Sequence, residues 1–166
     1  MEVIRLSIME CVLLGIILSI ATGFRIFLPL LFLSGAHLTG IIELGASLEW
    51  IGNVPVFVII LVATLLEIIA YFIPIVDSTM DAIDTPIAVI AGILVMFSVV
   101  PLENELTHWL VSILVGGTLA GVIKACKALF RAGIAVLTGG TGNFLVATFE
   151  LGATIFLGVV AYFFIV

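Results

Sequence analysis

The chain has 166 residues, of which 64% are hydrophobic and only 10% charged, with a formal net charge of −6 and a mean hydropathy of +1.50. A water-soluble domain of this size could not hide so much apolar side chain beneath so few polar groups, so the composition excludes one and points to a membrane protein. It shows no basic stripe for nucleic acid, and its apolar runs are continuous where a β-barrel alternates in segments of about 10 residues.

The expected fold is therefore all-α: a polytopic membrane helix bundle formed as one integral domain over residues 1–166, with the lipid bilayer as its solvent. Crossings are expected at 6–22, 54–73, 86–101, 107–129 and 143–165, with a short apolar piece at 26–36. Ser19-x-Ala21 has the look of a signal cleavage site, but Glu2 and Glu10 spoil the charge pattern that cleavage requires.

In the first segment, Gly23 and Pro29 bracket Arg25, which points either to a broken or re-entrant helix or to a span that ends at Gly23 with Arg25 snorkelling. His37 and His108 fall at span borders and read as solvated interfacial groups, with Trp50 and Trp109 as an aromatic belt. In the second span Glu67 lies about two thirds of the way along, a depth that suits either proton binding or a hydrogen-bonded helix contact through Thr64.

Between Pro74 and Pro86, Asp77, Asp81 and Asp84 are spaced i, i+4, i+7, so a helix there would line three carboxylates on one face. The fourth span ends in Lys124, Lys127 and Arg131 at i, i+3, i+7, a stripe of opposite sign. The two stripes can zip together as an inner gate or charge network, or simply fasten helices. Gly116, Gly117 and Gly121 offer a flat groove for close helix approach, and Gly152 and Gly158 offer the same in the last span.

A second helix break is expected at Phe130-Arg131-Ala132-Gly133. Gly139, Thr141 and Asn143 then form either an anion-binding nest or an ordinary tight turn with Asn143 as helix cap. Glu150, a third of the way into the last span, should lie in the layer above the charge stripes, with Thr148 as a candidate partner. Cys11 and Cys126 read as small buried filler, and neither metal site nor cofactor is expected.

Leu61-Val62-Ala63-Thr64 recurs as Leu145-Val146-Ala147-Thr148, and Phe24-Arg25 as Phe130-Arg131, which suggests half-repeats over 6–73 and 107–165 related by inversion. Counting Lys and Arg near span ends places the amino terminus in the cytoplasm, and five crossings then place the carboxyl terminus outside.

Gly23-Phe24-Arg25 with Pro29, Glu67, Pro74-x-x-Asp77, Asp81, Asp84-x-Pro86, Lys124, Arg131, Thr138-Gly139, Asn143 and Glu150 together resemble a family of small prokaryotic multi-spanning membrane proteins described only as a domain of unknown function. The resemblance covers nearly the whole chain and implies an inner-membrane location and importance for those charged positions. It also leads one to expect a further charge after Glu67, where this chain has Ala70-Tyr71-Phe72.

The residues support secondary transport or channel conduction of a small ionic solute, an anion or a phosphate-bearing one. Arg25 and Arg131 would hold the anion at opposite helix breaks with Gly139 to Asn143 supplying amides, Glu67 and Glu150 would carry a coupling proton, and a homo-oligomer would enclose the path. A structural or assembly protein is the alternative. A metal-dependent lipid-phosphate enzyme built on Asp77-x-x-x-Asp81 comes third, so an enzyme is not expected.

Overall fold

The computed structural model describes residues 7–44 and 48–165, and the side chains of all of these except 74–82 and 164–165. Those residues form helices α1 (Ile8–Phe24), α2 (Phe27–Leu38), α3 (Val54–Tyr71), α4 (Pro74–Val99), α5 (Glu105–Val111), α6 (Thr118–Thr138) and α7 (Asn143–Ile165), with a 3-10 turn at Glu49–Gly52 and no strand among them. The protein is a helical membrane bundle. Among the described residues, three helical segments are long and apolar enough to cross a membrane: Val54–Tyr71, Glu105–Thr138 and Asn143–Phe163.

Local chemistry sets the helix ends. Ser7 opens α1 through a capping box with Glu10, its hydroxyl accepting the Glu10 amide while its own amide donates to the Glu10 carboxylate. The helix stops at Arg25, whose backbone is extended at φ −140° and ψ 127°. Pro29 explains why: in a continuous helix its ring would collide with the carbonyl four residues back, which belongs to Arg25. Pro29 instead lies in the first turn of α2, where its missing N–H costs nothing. Pro101 ends α4 in the same manner, since the residue before a proline avoids helical backbone.

A hydrophobic cluster containing Leu14, Leu18, Leu33, Val95, Phe97 and Ala161 joins α1, α2, α4 and α7 at one end of the bundle. Ser19 donates to the carbonyl of Gly92, Gly15 faces Met96, and Gly158 faces Phe32, so α1 and α4 run in opposite senses. The chain thus folds back at Arg25 rather than crossing onward, and the first turn of α1 lies at the same end as the last turn of α7. The two ends of the described chain therefore lie together in the bundle, where the sequence led one to expect them apart. At 12 residues α2 is about 18 Å long, short of the about 30 Å hydrocarbon layer, so it returns only part of the way.

Helix breaks also fall elsewhere than expected. The chain is helical without interruption from Glu105 to Thr138, passing through Arg131 and Gly133, and its irregularity is a π-helical turn at Ser112–Gly117. There Gly116 lies against Gly92, where a Cβ on Gly92 would stand 2.6 Å from the Gly116 carbonyl oxygen, so two backbones touch where side chains would separate them. The groove expected of Gly116, Gly117 and Gly121 is filled by α4. Gly152 has nothing within 4 Å of its Cβ position, so it is not used for packing within the chain.

The radial arrangement is inverted relative to a soluble protein. Leu66, Leu129, Leu137, Leu145, Phe149 and Phe163 are exposed around the outside, whereas Arg25 and Lys124 are among the largest fully buried side chains.

Candidate functional site

Every Lys and Arg among the described residues points inward: Arg25 is 0% exposed, Lys124 1%, Arg131 4% and Lys127 5%. All four surround one ring. The Tyr71 centroid lies 4.2 Å from Arg25 Cζ, 4.3 Å from Lys127 Nζ, 5.0 Å from Arg131 Cζ and 5.4 Å from Lys124 Nζ. Cations over an aromatic face gain most where water is excluded, yet four of them repel one another unless carboxylates intervene.

Asp84 on α4 is one such carboxylate, 4% exposed, accepting a hydrogen bond from the Tyr71 hydroxyl and lying 3.4 Å from Lys124 Nζ. Lys124 Nζ also donates to the Tyr71 oxygen at 2.8 Å, closing a triangle among α3, α4 and α6. The segment after Pro74 is helical, as the spacing of Asp77, Asp81 and Asp84 led one to expect. The pairing expected of Asp77 and Asp81 falls on side chains outside the described residues.

Glu67 and Glu150 are both buried, at 3% and 1% exposure, and hold opposite kinds of partner. Glu67 accepts the amides of Ile26 at 2.7 Å and Phe27 at 3.1 Å, one on each carboxylate oxygen. These are amides that the helix break leaves without intrahelical acceptors, so Glu67 caps α2 from a different helix and sits at the positive end of its dipole. Thr64 spends its hydroxyl on the Ile60 carbonyl and Thr148 on that of Phe144, so neither is the glutamate partner expected from the sequence.

Glu150 draws three cations onto a single oxygen: Oε2 lies 2.7 Å from Arg131 Nη2, 3.3 Å from Lys127 Nζ and 4.0 Å from Arg25 Nη2. Its other oxygen, Oε1, is buried without a hydrogen-bond partner, as are Nε and Nη1 of Arg25. Lys127 also donates to the Phe24 carbonyl and Arg25 to that of Ala147, which ties the α1 break to α6 and α7.

Glu150 thus belongs to the same layer as the cation stripe, not the layer above it. Arg25 and Arg131 meet at one carboxylate rather than standing at opposite breaks, and with Lys124, Lys127 and Arg131 inside the bundle, the Lys and Arg count that oriented the termini loses most of its members.

The glycine-rich turn stays apart from this cluster. Gly139 and Gly140 take left-handed backbone at φ +59° and +87°, as a helix C-terminus followed by a tight turn requires. Gly139 and Gly140 donate to the Ala135 carbonyl, Thr141 to that of Thr138, Gly142 to the Thr138 hydroxyl and Asn143 to the Gly140 carbonyl. No amide from Gly139 to Asn143 is left for an anion, so a tight turn forms and the nest does not; Asn143, expected as the cap, is instead the first residue of α7, and the Gly142 carbonyl accepts the first helical amides.

His37 and His108 are half-buried rather than solvated. The first contacts the backbone of Ile42 and Leu44, and the second stacks on Phe97 at 3.7 Å between centroids. Cys11 is buried as filler, but Cys126 is exposed. Phe24-Arg25 and Phe130-Arg131 occupy different settings, one at a helix break and one inside a continuous helix, and so do the glutamates of the suggested repeat.

Tyr71 is the residue that sequence reasoning missed. It entered only as an absent charge, although its place four residues after Glu67 puts both on one helical face toward the cluster.

A cavity of about 260 Å³ lies between α6 and α7 beside the end of α1, with Lys127 and Glu150 in its wall together with Phe24, Cys126, Phe130 and Phe149. The lining is otherwise apolar, so the cavity joins the lipid-facing exterior to the charged interior.

A bundle with an apolar outside, a helix broken over a buried arginine and an intramembrane ion network defines a class, the small polytopic helical membrane proteins. Within it, the chain belongs to the family described as a domain of unknown function (DUF4126), whose profile matches residues 12–166. No curated protein and no solved structure matches it.

Proposed function

We propose that the protein moves a small anionic or phosphate-bearing solute across the inner membrane, as a transporter or channel, through the quartet Arg25, Lys127, Arg131 and Glu150. The observation that carries this reading is the convergence of three cations on one oxygen of Glu150, whose second oxygen is unpartnered, beside a cavity that Glu150 and Lys127 both line. A carboxylate so held stands where an incoming anion would bind, and a proton on it would release its partners to that anion. Arginine pairs suit the planar, bidentate recognition of phosphate. The activity proposed is movement of the solute rather than its conversion.

In this reading Glu67 no longer carries the coupling proton, because both of its oxygens hold a helix end in place. Arg5 favours a cytoplasmic amino-terminal end, and the end of α7 follows it to the same side. A homo-oligomer belongs to the proposal, with the outward Gly152 face of α7 open to a second copy.

The alternative, a purely structural or assembly role, is favoured by Tyr71 and Asp84, which fasten α3, α4 and α6 without touching the cavity. Proteoliposomes distinguish the two. Transfer of labelled inorganic phosphate or labelled dodecyl phosphate should fall at least about tenfold in Glu150→Gln, because the neutral amide cannot take the cations back and release the bound anion. Equal transfer by wild type, Glu150→Gln and protein-free vesicles removes the transport reading.

A further inference from the structure

Resting on that reading, the shape of the cavity narrows the substrate class. A water-soluble ion would call for a polar entrance, whereas this cavity is walled by Phe24, Phe130 and Phe149 and opens between α6 and α7, on the lipid-facing surface. Phe149 is 69% exposed and Phe130 59%, so aromatic rings frame the mouth and charge is met only at Lys127 and Glu150. An apolar passage leading to a cationic base is complementary to an amphiphile: tail among the rings, head among the cations.

We propose that the α6–α7 cleft admits, sideways from the bilayer, an amphiphile with a phosphate head and an alkyl tail, whose head displaces the Glu150 carboxylate from Arg25, Lys127 and Arg131. The head brings several oxygens to the cations that converge on Glu150 Oε2, and Arg25 has two buried nitrogen donors without an acceptor. The tail needs no water-filled route, because the rings it passes already face hydrocarbon.

The chain carries its own reporter. Cys126 lines the cleft and is exposed, and the second thiol, Cys11, is buried on α1. In nanodiscs of phosphatidylcholine, the rate at which a lipid-soluble maleimide labels Cys126 is read against added dodecyl phosphate, inorganic phosphate, dodecanol and dodecyltrimethylammonium. Dodecyl phosphate should slow labelling severalfold in a saturable manner, and the other three should not. In Lys127→Gln the concentration for half protection should rise about tenfold, as expected for one lost charge-assisted contact. Phe149→Ala, at an exposed position that the fold does not need, should raise it severalfold through lost apolar contact.

Protection by inorganic phosphate equal to that by dodecyl phosphate overturns the amphiphile and leaves the transport of a small anion standing. Equal protection by dodecanol, or by dodecyl phosphate in both wild type and Phe149→Ala with no change, shows nonspecific filling and overturns the proposal. Absence of protection by dodecyl phosphate in the wild type does the same. Transfer assays that fail while saturable protection persists would remove transport and keep the binding site.

Discussion

Two buried glutamates on neighbouring helices carry the same chemical group and do different things. Glu67 gives each oxygen one backbone amide and so closes a helix end, whereas Glu150 crowds three cations onto one oxygen and leaves the other unpartnered against a cavity. Burial and charge alone therefore do not mark a working residue in a membrane. The distinction lies in whether the partners are fixed backbone or mobile side chains, and in whether there is space beside the group.

The largest test of this contrast is Glu67→Ala, which strands two buried amides and removes a counter-charge near Arg25. Unfolding in detergent micelles should show a loss of about 3–5 kcal/mol, as for other buried charges deprived of one partner. A loss below about 1 kcal/mol, the range of an exposed pair, would break the comparison at its structural end.

Glu150→Gln is predicted to lose stability as well, but in a form that a ligand can restore. Dodecyl phosphate at 100 times its wild-type Kd should stabilise wild type and Glu67→Ala alike, by about 2.7 kcal/mol through mass action, and Glu150→Gln by more, since no carboxylate there competes for the cations. Equal stabilisation of both variants would erase the distinction between the two glutamates.

Tyr71→Phe keeps the ring on which the cations rest and removes the hydroxyl shared by Asp84 and Lys124. The expected cost is about 1–3 kcal/mol from buried groups left without a partner, read by the same unfolding experiment. The smallest effect is expected at Gly152→Ala on α7. Nothing lies within 4 Å of the added Cβ, so stability should stay within about 0.5 kcal/mol in dilute detergent. A larger change that depends on protein concentration would instead reveal a partner chain on that face.

The sequence made some of this arrangement legible and concealed the rest. Helical crossings followed from continuous apolar runs, and the break at Arg25 was readable because Gly23 and Pro29 act within a few residues of it. The continuity of α6 through Arg131 and Gly133 was not readable, since one helical glycine costs only about 1 kcal/mol and tertiary packing outweighs that. The meeting of Arg25 with α7 joins residues 122 positions apart, a separation that no local pattern encodes. Spacing identified the cation stripe of α6 correctly, but its described carboxylate partners are Asp84 and Glu150, drawn from two helices rather than one. Tyr71 stayed hidden because a search for ionisable groups passes over the neutral ring at their centre.

The inward direction of Lys124, Lys127, Arg131 and Arg25 also bears on how the folded chain meets a protease. Trypsin cuts after lysine and arginine, and apart from Arg5 every such bond in this chain adjoins a side chain enclosed by the bundle. The native protein should therefore yield no internal tryptic fragment, and the appearance of one would time the opening of the whole bundle rather than the fraying of a loop.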